Sequence, residues 1–255
     1  MDCLKNFLKG VLMGMVDIIP GVSGGTIAFI TGVYERLVRN LSMFHPKNFK
    51  EIEFKFLIAI GLGVSVGIAI MSKILKFLLE NSPDFTYAFF LGLICGSAFF
   101  LMVNMKKDRR FCYVIPGAML SLLIVEINVL SISNSALSLF ISGFLATCAM
   151  TLPGISGAMV LVILGQYEYL LHLIAELRFF ELLIFASGAV LSLLTFVKFL
   201  NYLISNHRMS LFPFLIGMIM GGASAIYNKI SMDSVYVPVF FSLGFIASYV
   251  LYRFQ

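Results

Sequence analysis

Pro20-Gly21-Val22-Ser23-Gly24-Gly25-Thr26 and Pro153-Gly154-Ile155-Ser156-Gly157-Ala158 decide the architecture of this 255-residue chain. Aligned at an offset of 133, residues 20–41 and 153–174 share nine identities in 22 positions. The first run continues to Gly32, Tyr34 and Glu35, the second to Gly165, Tyr167 and Glu168. Both motifs interrupt strongly apolar sequence. Residues 4–41 as one helix would be ~57 Å long at ~1.5 Å per residue, about twice the ~30 Å of bilayer hydrocarbon. The segment is therefore either a re-entrant hairpin whose tip is Pro20–Gly25 or two tightly joined spans, both returning the chain to its starting side; the hairpin is the expected form, with a second hairpin over 135–174.

Composition sets the class. Hydrophobic residues make up 60% of the chain and charged residues 12%, and the mean hydropathy is +0.99. That leaves too little polar surface for a water-soluble domain. Apolar runs of about 20 residues are continuous rather than alternating, which excludes a β-barrel and predicts an all-α polytopic membrane protein. Single spans are expected at 56–80, 85–104 and 111–129, then at 181–204, 211–227 and 235–253. Lys5 and Lys9 before an apolar run suggest a signal peptide. Asp17 and Pro20 break that run and no small-residue cleavage site follows, so the segment is expected to stay in the fold.

The repeat extends beyond the hairpins. At an offset of 125, Gly63, Lys73 and Asn81 match Gly188, Lys198 and Asn206, and Phe89, Gly92 and Gly96 match Phe214, Gly217 and Gly221. Each half, 1–130 and 131–255, is one unit of hairpin plus three spans. A hairpin adds no net crossing and three spans add an odd number, so the second unit must enter the membrane upside down. Two inverted repeats follow, with both termini on one face. Of 18 Lys and Arg, 13 then fall on the face of the termini and four on the other, with Lys198 too deep to assign. That asymmetry marks the face of the termini as cytoplasmic. It also explains the net charge of +5 without any nucleic-acid partner. Cys3, Cys95, Cys112 and Cys148 have neither a close pair nor a metal spacing. No metal or cofactor is expected.

Irregular backbone deep in a bilayer must have its N–H groups satisfied by protein, water or ligand. Each tip leads into the N-terminus of a returning helix, where first-turn amides are free and the helix dipole favours an anion. Glycines allow close approach, and Ser23, Thr26 and Ser156 add hydroxyl donors. Gly21, Val22, Ser23, Gly24, Gly25 and Thr26 with Gly154, Ile155, Ser156 and Gly157 are thus candidates for a phosphate or carboxylate cradle. The competing reading is close helix packing through small residues.

Gly14, Asp17 and the Pro20–Thr26 motif with Gly32, Tyr34 and Glu35, together with Pro153–Gly157, resemble the signature of bacterial polyprenyl-phosphate transporters of the PopT type. The resemblance covers the whole chain. It implies translocation of undecaprenyl phosphate across the bacterial cytoplasmic membrane, recycling the lipid carrier of cell-wall synthesis, with no enzymatic activity. In the second motif Ala158 replaces a glycine and Met150 stands opposite Asp17, so the two tips need not be equal. The substrate's anionic head would sit in the cradle while its tail stays in lipid.

Other residues have two readings each. Asp17 is either a coupling or charge-pairing carboxylate or a side chain bonded to the tip's own backbone. Lys73 and Lys198 either counter the phosphate or snorkel to the interface. Tyr34, Glu35, Tyr167 and Glu168 are gating or interface residues, with Arg36 or Arg39 the expected partners of Glu35. Membrane lipids are obvious neighbours, and a homo-oligomer is possible. The rival functions are carriage of a small soluble anion and, less favoured, lipid phosphatase chemistry. The latter would rest on Asp17 alone, because no histidine lies near a tip.

Overall fold

A computed structural model describes residues 2–17, 23–44, 49–103, 109–127, 132–231 and 236–253, and all their regular structure is helical. The first half contains α1 (Asp2–Asp17), α2 (Gly24–Ile30), α3 (Tyr34–Ser42), α4 (Phe54–Asn81), α5 (Pro83–Val103) and α6 (Val114–Glu126). The second contains α7 (Ala136–Thr151), α8 (Gly157–Ile163), α9 (Tyr167–Ala175), α10 (Phe179–Gly222), α11 (Ser224–Tyr227) and α12 (Val237–Arg253). Three stretches, Phe54–Met71, Pro83–Val103 and Phe179–Tyr227, are long and apolar enough to cross a membrane. Large apolar side chains face outward on these and neighbouring helices: Ile58, Leu62, Leu123 and Leu183 are each more than half exposed. Such a surface suits lipid and would be unstable in water.

The arms that follow the tips are not continuous helices over 22–41 and 156–174. Gly32 (φ 72°) and Gly165 (φ 67°) stop α2 and α8. At each, the glycine N–H reaches the carbonyl three residues back and the next residue's N–H reaches the carbonyl five back (Val33 to Ala28 at 3.0 Å, Gln166 to Leu161 at 2.9 Å). This glycine-terminated cap needs a left-handed residue, which an L side chain resists. A second departure concerns 181–204 and 211–227. They are not separated by a loop: Phe179–Gly222 is one helical run broken only at His207 (φ −128°, ψ 25°), and the short helix α11 follows after Ala223. At the offset of 125, His207 matches Ser82, the single residue between α4 and α5.

Helices meet through glycines at distances no side chain would allow. A Cβ on Gly10 or Gly14 of α1 would lie 2.4 or 2.1 Å from the carbonyl oxygen of Ile60 or Val64 in α4. The register advances together along both helices, so α1 and α4 run parallel, and the chain has turned back between them. Likewise α7 lies parallel to the first run of α10, with Gly143 against Phe185 and Cys148 Sγ 3.2 Å from Ser192 Oγ. Gly92 and Gly96 of α5 face Phe241 and Phe245 of α12, while Gly217 and Gly221 of α10 face Val114 and Ala118 of α6, again parallel. Most of these backbone approaches have a counterpart in the other half, Gly14 on Val64 being an exception because Thr147 stands at its matched position. Gly63 on Phe7 answers Gly188 on Phe140, and Gly244 on Phe89 answers Gly117 on Phe214.

Polar contacts show which helix ends share a face. At the start of α4, Glu53 accepts from Arg36, Arg39 and Asn40 of α3. Arg36 and Arg39 hold the Glu53 carboxyl down to about 2. Glu35 of α3 pairs with Arg208, which opens the second run of α10, and Leu101 near the end of α5 lines a cavity together with both of them. The opposite end has Asp84, at the start of α5, accepting from the Ser231 amide at 2.8 Å. Buried Ile27, Ile30, Leu215, Ile216, Met218 and Ile219 form the centre of the core, where α2 meets the second run of α10.

Candidate functional site

The two motifs come together. Thr26, in the first turn of α2, accepts a hydrogen bond from the Gly154 amide at 3.0 Å across 128 residues of sequence. Gly25 lies against the carbonyl oxygens of Met150 and Leu152, and Tyr34 donates its hydroxyl to the Thr151 carbonyl at 2.8 Å. Gly154 has φ +91°, and a Cβ there would sit 2.4 Å from the Met218 carbonyl oxygen, so the second motif also seats on α10. Pro20, Gly21 and Val22 lie outside the described residues. Ser23, Thr26 and Ser156 are all buried.

Sequence similarity hides a chemical difference between the tips. In the first, Asp17 Oδ1 accepts from the Gly24 amide at 2.6 Å, and Ser23, the N-cap of α2, accepts from the Gly25 amide at 3.1 Å. Ser23 O accepts from Thr26 N at 2.9 Å. The amides expected to be free for a ligand are here held by the chain's own oxygens. Asp17 follows the second of its two readings, bonding to the backbone of its own tip. In the second tip Met150 occupies the position of Asp17 and packs on Gly157. The N-cap residue Ser156 makes no capping bond, and the Gly157 and Ala158 amides have no partner among the described residues. An apolar side chain cannot cap a helix, so α8 keeps the open donors that α2 has lost.

The remaining candidates separate. Glu35 does not pair with Arg36 or Arg39, which belong to Glu53. It pairs instead with Arg208, whose Nε donates to Glu35 Oε1 at 2.9 Å. Tyr34 is buried at 3% exposure rather than set in an interfacial belt, and its ring meets Phe29 edge-on with centroids 5.4 Å apart. Tyr167 is exposed. Glu168 is also exposed and has no ion-pair partner among the described residues. Lys198 is half-buried within α10. The Lys73 side chain lies outside the described residues. No hydrogen bond or ion pair among the described residues places Lys198 against a tip. No group of three His, Cys, Asp or Glu side chains able to hold a metal occurs among the described residues.

Sequence reasoning passed over Arg208, counting it only toward the charge asymmetry. Its signal was position: it follows directly on the break matched to Ser82.

Broken helices that meet tip to tip inside an apolar helical body are the architecture of membrane carriers. Comparison with known proteins makes the class specific. Residues 13–238 match the profile of the undecaprenyl phosphate translocase-like family. A polyprenyl-phosphate transporter of Vibrio cholerae serotype O1 is 35% identical over 235 residues, covering 87% of this chain and 76% of the relative. A polyprenyl-phosphate transporter of Staphylococcus aureus is 32% identical over 271 aligned residues, covering 97% of this chain and 95% of the relative. The chain belongs to the undecaprenyl phosphate translocase-like family, which comprises transporters and not enzymes. No solved structure matches it.

Proposed function

We propose that this protein carries polyprenyl phosphate across the membrane by alternating access to a phosphate site at the meeting point of the two tips. One observation carries the reading. Ser156 and Gly157 are buried residues, Ser156 makes no capping bond, and the Gly157 and Ala158 amides have no partner among the described residues, directly beside the Thr26–Gly154 junction. Buried donors without partners are costly, at ~1–3 kcal/mol each. A phosphate oxygen would satisfy several of them at once and gain from the helix dipole. The names borne by the relatives supply the substrate class.

Two inverted repeats follow from the same reasoning. The parallel pairing of α1 with α4, and of α7 with the first run of α10, supports two hairpins that each return to their starting side. Glu53, Arg208 and the end of α5 sharing one face supports opposite orientations for the two units. Positive residues concentrate on that face, which assigns it to the cytoplasm. The tips respond unequally. At the second, phosphate would meet Ser156, Gly157 and Ala158. At the first, it must displace Asp17 from Gly24 or bind beside a neutral Asp17, so Asp17 controls access to the first cradle.

The test uses the purified protein reconstituted into vesicles containing polyprenyl phosphate. A soluble phosphatase added outside hydrolyses only exposed headgroups. Transport predicts that hydrolysis runs past the outer-leaflet share, and that Ser156→Ala slows the second phase. Hydrolysis that stops at the outer leaflet overturns the proposal. Uptake of inorganic phosphate without lipid movement would favour the soluble-anion reading, and phosphate release without added phosphatase would favour an enzyme.

A further inference from the structure

We propose that Arg208 is the docking point for a lipid phosphomonoester on the face carrying both termini, and that Glu35 occupies it as a stand-in for the phosphate. The inference rests on the transport reading and adds a second site to it, away from the tips. Arg208 stands between two cavities of opposite character. One, of about 210 Å³, is walled largely by Phe29, Leu101, Phe212 and Ile216. The other, of about 510 Å³, is walled by Tyr113 and the polar turn Ser205–Ser210, within the ~300–1,000 Å³ of small-molecule sites. An amphiphile with an anionic head and an isoprenoid tail finds a matching wall on each side of the guanidinium.

The guanidinium is already set for an anion. It lies 4.8 Å over the Phe212 ring and holds the Glu35 carboxylate with Nη2 at 2.6 Å as well as Nε. The planar fork binds carboxylate and phosphate oxygens in the same way. Both side chains remain open to solvent, at 61% for Arg208 and 41% for Glu35, so an incoming phosphate can reach them. Tyr34 continues the route. It lines the smaller cavity, and its hydroxyl bonds Thr151 at the base of the second tip. The dock is one-sided. At the offset of 125 the position of Arg208 is taken by Pro83 in the first half, and the counterpart of Glu35 is Glu168. No equivalent ion pair can form on the opposite face. A phosphate arriving at Arg208 expels Glu35 and releases α3 from α10.

Binding of farnesyl phosphate, farnesol and inorganic phosphate to the full-length protein in lipid nanodiscs tests this. Wild type, Arg208→Ala, Glu35→Gln and the exchanged pair Glu35→Arg with Arg208→Glu are compared, each with its thermal midpoint. Arg208→Ala should weaken farnesyl phosphate by about tenfold or more, the worth of one charge-assisted contact. Glu35→Gln should tighten it severalfold by removing the competitor, and farnesol should be unaffected. The exchanged pair should keep its thermal midpoint but lose the affinity. A purely structural ion pair predicts the opposite sign for Glu35→Gln, and that result overturns the dock. Inorganic phosphate competing as well as the lipid analogue overturns its lipid character. Wild type that transports lipid while Arg208→Ala keeps its affinity overturns the dock alone. Wild type that binds no farnesyl phosphate overturns the transport reading with it.

Discussion

Replacing Gly92 by Ala places a methyl carbon 1.9 Å from the Phe241 carbonyl oxygen. Ordinary C···O contacts fall near ~3.3–3.6 Å, so α5 and α12 must separate by about 1.5 Å. The obstacle is backbone and cannot rotate aside. Overpacking of this kind costs ~1–3 kcal/mol, and an immovable obstacle points to the upper part of that range. Gly61 supplies the control, because a Cβ there meets nothing within 4 Å. Both positions are helix interior, so the gain of ~1 kcal/mol in helix propensity is common to both. The difference between Gly92→Ala and Gly61→Ala therefore isolates packing, at about 3 kcal/mol. At ~2–4 °C per kcal/mol for a chain of this size, Gly92→Ala should melt roughly 6–12 °C below Gly61→Ala. Circular dichroism in detergent reads this directly. The repeat adds a condition. Gly217 matches Gly92 and would lie 2.0 Å from the Val114 carbonyl oxygen, so Gly217→Ala should lose a similar amount. Equal midpoints for Gly92→Ala and Gly61→Ala would refute the close-approach argument. Unequal losses at Gly92 and Gly217 would refute the equivalence of the two interfaces.

The two tip serines should respond differently. Ser23→Ala removes the cap on Gly25 and should cost ~0.5–2 kcal/mol of stability, measured by detergent unfolding. Ser156→Ala removes no bond to described protein and should not destabilise the fold while slowing transport. Glu53 gives a pH signature. Its folded value, about 2, is depressed by Arg36, Asn40 and Arg39, so its contribution is present above the ordinary value near 4.5 and is lost as pH falls toward 2. The network is exposed, so that contribution is below ~1 kcal/mol. The difference in thermal midpoint between wild type and Glu53→Gln should be constant above pH 5 and vanish toward pH 2.

What could be read in advance was whatever repeats or is local. Long apolar runs identify helices because hydrocarbon demands length and continuity. Pro-Gly motifs identify breaks because proline removes a donor and glycine relaxes φ. Gly32 and Gly165 stood in plain view as matched glycines, yet their role as helix stops needs a backbone value that sequence alone does not state. Spans at 181–204 and 211–227 leave residues 205–210 between them, whereas the structure makes the break in the single residue His207, as at Ser82. Pairings such as Glu35 with Arg208 and Thr26 with Gly154 join residues 173 and 128 apart. They are selected by how helices pack, and nothing in the local sequence ranks Arg208 above Arg36 or Arg39 as a partner. Occupancy was equally hidden. Asp17 and Met150 differ by one carboxylate, and only their position relative to Gly24 and Gly157 shows that this carboxylate fills one tip and leaves the other open.

The central claim is that the chain between α1 and α4 returns to the face it left, and that the second unit does so from the opposite face. Thiol labelling with a membrane-impermeant reagent tests it most directly. In a background lacking the native cysteines, single cysteines are placed at Cys3, Lys50 and Arg178. Positions 3 and 50 should react from one face of sealed vesicles and position 178 from the other. Reaction of position 50 from the face opposite position 3 would contradict the account.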